Sequence, residues 1–115
     1  MVVNNVNIVD ITMVLGNTFS MSFELTGLGQ SLDAAYFSCK ADLNDTTYIF
    51  QKTLSDGIEA AGTAGAYDVR VAPEDTAELS PGSYFYDLVI HANNDVKTLM
   101  NGVLHLVKGT TDPTV

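Results

Sequence analysis

Residues 67–90 read YDVRVAPEDTAELSPGSYFYDLVI. Tyr67, Val69 and Val71 alternate on one side of this stretch, and Tyr84, Tyr86, Leu88 and Ile90 alternate on the other. Period two over both runs predicts two half-buried β-strands. Between them, Pro73 can open a single helical turn, because the N–H it lacks would be unpaired at that position. Glu74 and Asp75 then suit the positive end of the turn. Leu79, Pro81, Gly82 and Tyr84 form the corner where the chain crosses between two sheets. There a tyrosine hydroxyl ties the turn to the strand that follows it.

The same rhythm runs outward from this corner. Alternation predicts strands over 6–14, 18–25, 34–41, 46–53, 67–72, 84–91 and 96–107, with a short edge strand at 58–60. A polar loop is expected over 26–33. Turns are expected at Ser55-Asp56-Gly57 and over 62–65. Turn signals recur about every ten residues, the spacing of an all-β sandwich. No helical periodicity exceeds one turn. The expected fold is therefore all-β: an immunoglobulin-like antiparallel β-sandwich of seven to eight strands, with one short helical turn before the Pro-Gly corner. At 115 residues the chain suffices for a single domain, with its core over 6–108 and a polar tail over 109–115.

The last two strands constrain each other. A two-residue turn at Asn93-Asn94 in a regular ladder would set Tyr86 against Asn101, an apolar face against a polar one. A loop over Asn93 to Asp95, or a bulge, shifts the register by one. Tyr84 then faces Leu104, Tyr86 faces Gly102, and Leu88 faces Met100. A one-residue slip inverts a whole face, so the shifted register is the expected one. With the three-residue loop, Phe85 lies beside Val103 and Val89 beside Leu99 on the outer face. Phe85, Val89, Leu99 and Val103 are the candidate protein-contact residues, because contiguous exposed apolar side chains mark interaction sites.

Composition narrows the chemistry. The net charge is −9, and the cations Lys40, Lys52, Arg70, Lys97 and Lys108 are scattered. Nucleic-acid binding needs clustered cations, so no nucleic-acid partner is expected. No apolar run approaches the roughly 18 residues of a membrane span, and no secretory leader is visible. The single cysteine, Cys39, alternates with Ala35 and Phe37 and reads as a core residue. His91 and His105 fall toward opposite ends of the hairpin, about 20 Å apart, too far to share a metal. Asp42, Asn44 and Asp45 form an oxygen-rich loop that reads as a solvated turn rather than a calcium site. There is no zinc spacing, phosphate loop or nucleophile motif. Neither a catalytic residue, a metal ligand nor a cofactor is expected.

Taken in order, several short elements resemble the small immunoglobulin-like structural domain of tailed phages and prophages, as found at the N-terminus of baseplate upper proteins. They are Gly16-Asn17-Thr18-Phe19, Leu32 to Ala35 leading to Phe37, and Asp56-Gly57-Ile58. Pro73-Glu74-Asp75-Thr76, Pro81 to Leu88 and Thr98-Leu99-Met100-Asn101-Gly102 follow. The resemblance spans about residues 7–108 and carries no catalytic site. Relatives often have Arg-Gly-Asp before the Thr-Phe pair, where this chain has Leu15-Gly16-Asn17. Its last strand runs into Gly109-Thr110-Thr111 rather than a fibrous segment, which favours an accessory module over a baseplate arm.

The resemblance implies a non-enzymatic virion protein assembled in the host cytoplasm. It would be a capsid decoration or cement module, or a tail, neck or baseplate adaptor. Its partners would be phage capsid or tail proteins, or further copies of itself. The alternative is a carbohydrate- or host-surface-binding sandwich. There is no tryptophan, so Tyr36, Tyr48 and Phe85 are the outward rings such a module would use. A prophage-encoded intracellular protein of unrelated role is the third reading.

Overall fold

Alternating apolar residues pair into strands because each strand buries one face and leaves the other to solvent. The computed structural model describes residues 7–25, 32–62 and 65–110. The strands are β1 (Asn7–Ile8), β2 (Ile11–Val14), β3 (Phe19–Glu24), β4 (Ala34–Lys40), β5 (Phe50–Leu54), β6 (Gly57–Ala60), β7 (Ala66–Val71), β8 (Gly82–Ala92) and β9 (Asp95–Val107). One helical turn, α1 (Pro73–Thr76), joins β7 to β8. The beginning of the first expected strand, most of the loop over 26–33, the middle of the turn over 62–65 and the end of the tail lie outside the described residues.

Hydrogen-bonded neighbours run β1–β9–β8–β4–β5–β6–β7–β3, and β2 also pairs with β9. The ladder folds over at the tight turn between β5 and β6, so β6–β7–β3 forms a second layer. Phe37, Leu88 and Leu104 from the first layer, and Ile58, Val69 and Val71 from the second, are fully buried in one core. Cys39 lies among them, and burial pushes its thiol up to about 12, so it is held neutral.

The first expected strand is broken in two. β1 and β2 both run parallel to β9, and Val9 and Asp10 interrupt them. There the Asp10 carboxylate accepts the Val103 N–H at 3.2 Å, and the Val9 carbonyl accepts the Tyr86 hydroxyl. The fourth expected strand starts late, at Phe50. Asp42 holds the preceding loop as a turn, accepting the Asn44 N–H on its side chain at 2.9 Å and the Asp45 N–H on its carbonyl at 3.0 Å. Asp42 thus serves the turn, as an aspartate at this position commonly does.

The hairpin corrects one expectation. Tyr84 faces Leu104, Tyr86 faces Gly102 and Leu88 faces Met100, as the core requires. The turn itself, however, is the two-residue Asn93-Asn94, both with positive φ (53° and 67°). Asparagine tolerates that conformation, which matches the strand twist of a tight hairpin. The conflict between the turn register and the core register is absorbed by a bulge. Leu88 pairs with Met100 but Val89 with Thr98, leaving Leu99 unopposed. Leu99 therefore turns inward and is 7% exposed, not part of the outer patch.

The corner holds together as a set of contacts. Tyr84 donates its hydroxyl to the Ser80 carbonyl at 2.7 Å, and Leu79 packs against the core edge. Pro81 and Gly82 make the bend between them. Asp75 accepts the Ala72 N–H at 2.8 Å and pairs with Lys52 at 2.7 Å. Thr76 is buried, and its hydroxyl accepts the Gly16 N–H at 2.9 Å. That bond joins segments 60 residues apart. Thr76→Val keeps the shape but leaves the buried Gly16 N–H without its acceptor. The expected cost is about 1–3 kcal/mol, read as a lower urea midpoint at unchanged slope.

Candidate protein-contact face

The side chains that face away from the core form one surface. On β4, Ala35, Phe37 and Cys39 point inward, so Tyr36, Ser38 and Lys40 point outward. On β8, Tyr86, Leu88 and Ile90 are buried, which turns Phe85, Asp87, Val89 and His91 out. Strand register aligns these into cross-sheet rows. Lys40, Phe85 and Val103 make one row, and Tyr36, Val89 and Thr98 another. Between the two lies a polar row of Gln51, Ser38, Asp87 and Asn101.

The rows, apart from Val103 and Thr98 on β9, floor an open cleft of about 430 Å³. Its rim is the loop before β5, where Leu43 is 68% exposed and Tyr48 48% exposed. The Lys40 ammonium lies 5.3 Å from the Tyr48 ring centre, a cation–π distance. Tyr36 meets the His91 ring edge-on at 5.5 Å. Gln51 donates to the Ser38 hydroxyl at 2.9 Å.

Of the contact residues read from sequence, Phe85, Val89 and Val103 lie on this face, each half-buried, and Leu99 does not. Sequence reasoning did bring out Tyr36, Tyr48 and Phe85 as outward rings, and all three line the cleft. It missed Lys40, Leu43 and above all Asp87. The available signal was a charge at an outward position between two apolar outward residues, Phe85 and Val89. His105 sits elsewhere, its Nε2 3.9 Å from Asp10 and its Nδ1 3.3 Å from the Ser83 hydroxyl. No group of three metal-binding side chains occurs among the described residues.

Burial raises the Asp87 carboxyl above the ordinary aspartate range, and Lys40 opposes the rise only in part. The folded protein therefore favours the protonated form more than the unfolded chain does. The stability this group contributes is full below the unfolded aspartate value, about 3.9, and is lost as pH rises through the raised folded value. Asp87→Asn should accordingly melt higher than the parent at neutral pH. The two proteins should melt together at about pH 3. A calorimetric pH series checks this.

No family model matches the sequence, and no curated protein matches it significantly. Solved structures do match. The strand-swapped dimer of the mouse leukocyte-associated immunoglobulin-like receptor 1 extracellular domain aligns with a TM-score of 0.51 at 6% identity, covering 86% of this chain and 88% of that one. A Bacteroides vulgatus protein described as a candidate glycoside hydrolase aligns with a TM-score of 0.50 at 14% identity. That match covers 89% of this chain but only 17% of the other, so the chain spans less than a fifth of that protein. At such identities the likeness is one of fold alone. The chain folds as an immunoglobulin-like β-sandwich.

Proposed function

We propose that this chain is a non-enzymatic structural module of a tailed-phage virion. It docks on a capsid or tail subunit through the outer face of β5, β4, β8 and β9. The observation that carries the reading is the cleft itself. Half-buried Phe85 and Val89, with exposed Leu43 and Tyr48 at the rim, line it beside the polar row of Ser38, Asp87 and Asn101. Apolar and aromatic side chains left partly exposed side by side mark a protein-contact surface. The link to phage particles is supported by the motifs that resemble the phage domains. Two pairs of these motifs meet in the fold: the Gly16 N–H donates to Thr76, and Gly102 faces Tyr86.

Phe85→Asp tests the reading. The side chain is outside the core, so folding should change by no more than about 1 kcal/mol. Retention of the protein on purified particles, measured by labelled imaging or quantitative mass spectrometry, should fall at least about tenfold. Wild-type retention of this variant would remove the face as the contact.

The polar row of Gln51, Ser38, Asp87 and Asn101 beside Tyr36 and Tyr48 favours a second reading, a saccharide-binding sandwich. A glycan array distinguishes it from the first.

A further inference from the structure

Nine aspartates lie among the described residues, and only two of them, Asp75 and Asp87, are half-buried. Asp75 has a structural explanation: Lys52 pairs with it, and the Ala72 N–H bonds to it. Asp87 has no ion-pair partner among the described residues. Its cross-strand neighbours, Ser38 and Asn101, are neutral, and its neighbours along β8 are Phe85 and Val89. The nearby cation, Lys40, lies over the Tyr48 ring instead. A partly desolvated carboxylate without a counter-ion costs the free protein stability. It regains that stability when a cation arrives from outside.

Resting on the docking reading above, we infer that the cleft receives an arginine side chain of the partner protein, with Asp87 as its counter-ion. A guanidinium fits this surface on three grounds. Its plane stacks on aromatic and apolar walls such as Phe85 and Val89. Its fork of donors can bond the Asp87 carboxylate and the Asn101 side-chain carbonyl together. The net charge of −9 draws a basic surface toward the module. A sugar is less well served, because stacking needs a free ring face. Lys40 covers Tyr48, and Tyr36 is engaged with His91.

The probes are N-acetyl-arginine methylamide, its neutral isostere N-acetyl-citrulline methylamide, and a panel of monosaccharides, each titrated into the whole chain and followed by amide NMR. The arginine compound should shift Ser38, Asp87 and Asn101, and the citrulline compound should not. Asp87→Asn should weaken the arginine response at least about tenfold. Equal responses to arginine and citrulline, a response to sugars alone, or silence toward all of them would each overturn the inference.

Particle retention separates this inference from the reading beneath it. Loss with both Phe85→Asp and Asp87→Asn supports the cation pocket. Loss with Phe85→Asp alone removes the pocket and leaves the docking face standing. Retention of both variants removes the docking face.

Discussion

Leu99→Asp should strongly destabilise the fold that Phe85→Asp leaves intact. Both residues belong to the same hairpin, and the register of a three-residue loop would place both on its outer face. The bulge between Leu88 and Val89 separates their fates. It turns Leu99 into the core at 7% exposure, while Phe85 stays on the outer face. An aspartate at 99 loses the leucine burial and leaves a carboxylate with no partner in an apolar site. The expected cost is about 3–5 kcal/mol. Against a total stability of roughly 5–15 kcal/mol, that is a large fraction. In urea the midpoint should fall by about 2 M at a typical slope for this size. Thr98→Asp is the control, since Thr98 is exposed beside Val89 and should cost no more than about 0.5 kcal/mol. Should Leu99→Asp melt like the parent while Thr98→Asp collapses, the bulge is misplaced by one residue.

Gly102→Ala should detach the first two strands. A Cβ at this position would stand 2.2 Å from the Val9 carbonyl oxygen and 2.8 Å from its carbon. Real side chains do not approach that closely, so the backbone at Val9 must move. That same carbonyl accepts the Tyr86 hydroxyl, and the Val9 N–H donates to the Asn101 carbonyl at 2.9 Å. One methyl group thus strains two contacts that hold the segment down. Overpacking of this kind costs about 1–3 kcal/mol, and losing the tyrosine bond adds about 1 kcal/mol. Hydrogen exchange should show the loss locally. Amides of Ile11–Val14 should exchange much faster, while those of β7, on the far layer, keep their protection. Uniform acceleration across both layers would mean that the first strands are not a separable unit.

Much of this fold is legible in the residues. The stretch over 67–90 announces two strands and a corner, and Tyr84 does bond back to Ser80. The pairing of Tyr84, Tyr86 and Leu88 with Leu104, Gly102 and Met100 follows from the need to match apolar faces. The break at Val9 and Asp10 was not legible, because alternation continues through it. It arises from contacts with Val103 and Tyr86, more than seventy positions away along the chain. The candidate site was legible by halves. Alternation marks Phe85, Val89 and Val103 as outward, but the weight of Asp87 depends on what β4 and β5 place beside it.

Local order thus determined which segments are strands, where the chain crosses between layers, and which face of each strand is apolar. These are nearest-neighbour and period-two properties, and they need no knowledge of the partner strand. The residues of the hairpin also showed that the tight Asn93-Asn94 turn and the core pairing disagree by one residue. They did not show where that disagreement is discharged. Only the packed structure placed the bulge at Leu99, where an extra apolar residue is buried. That choice moved Leu99 from the surface to the core, and it set which side chains surround Asp87.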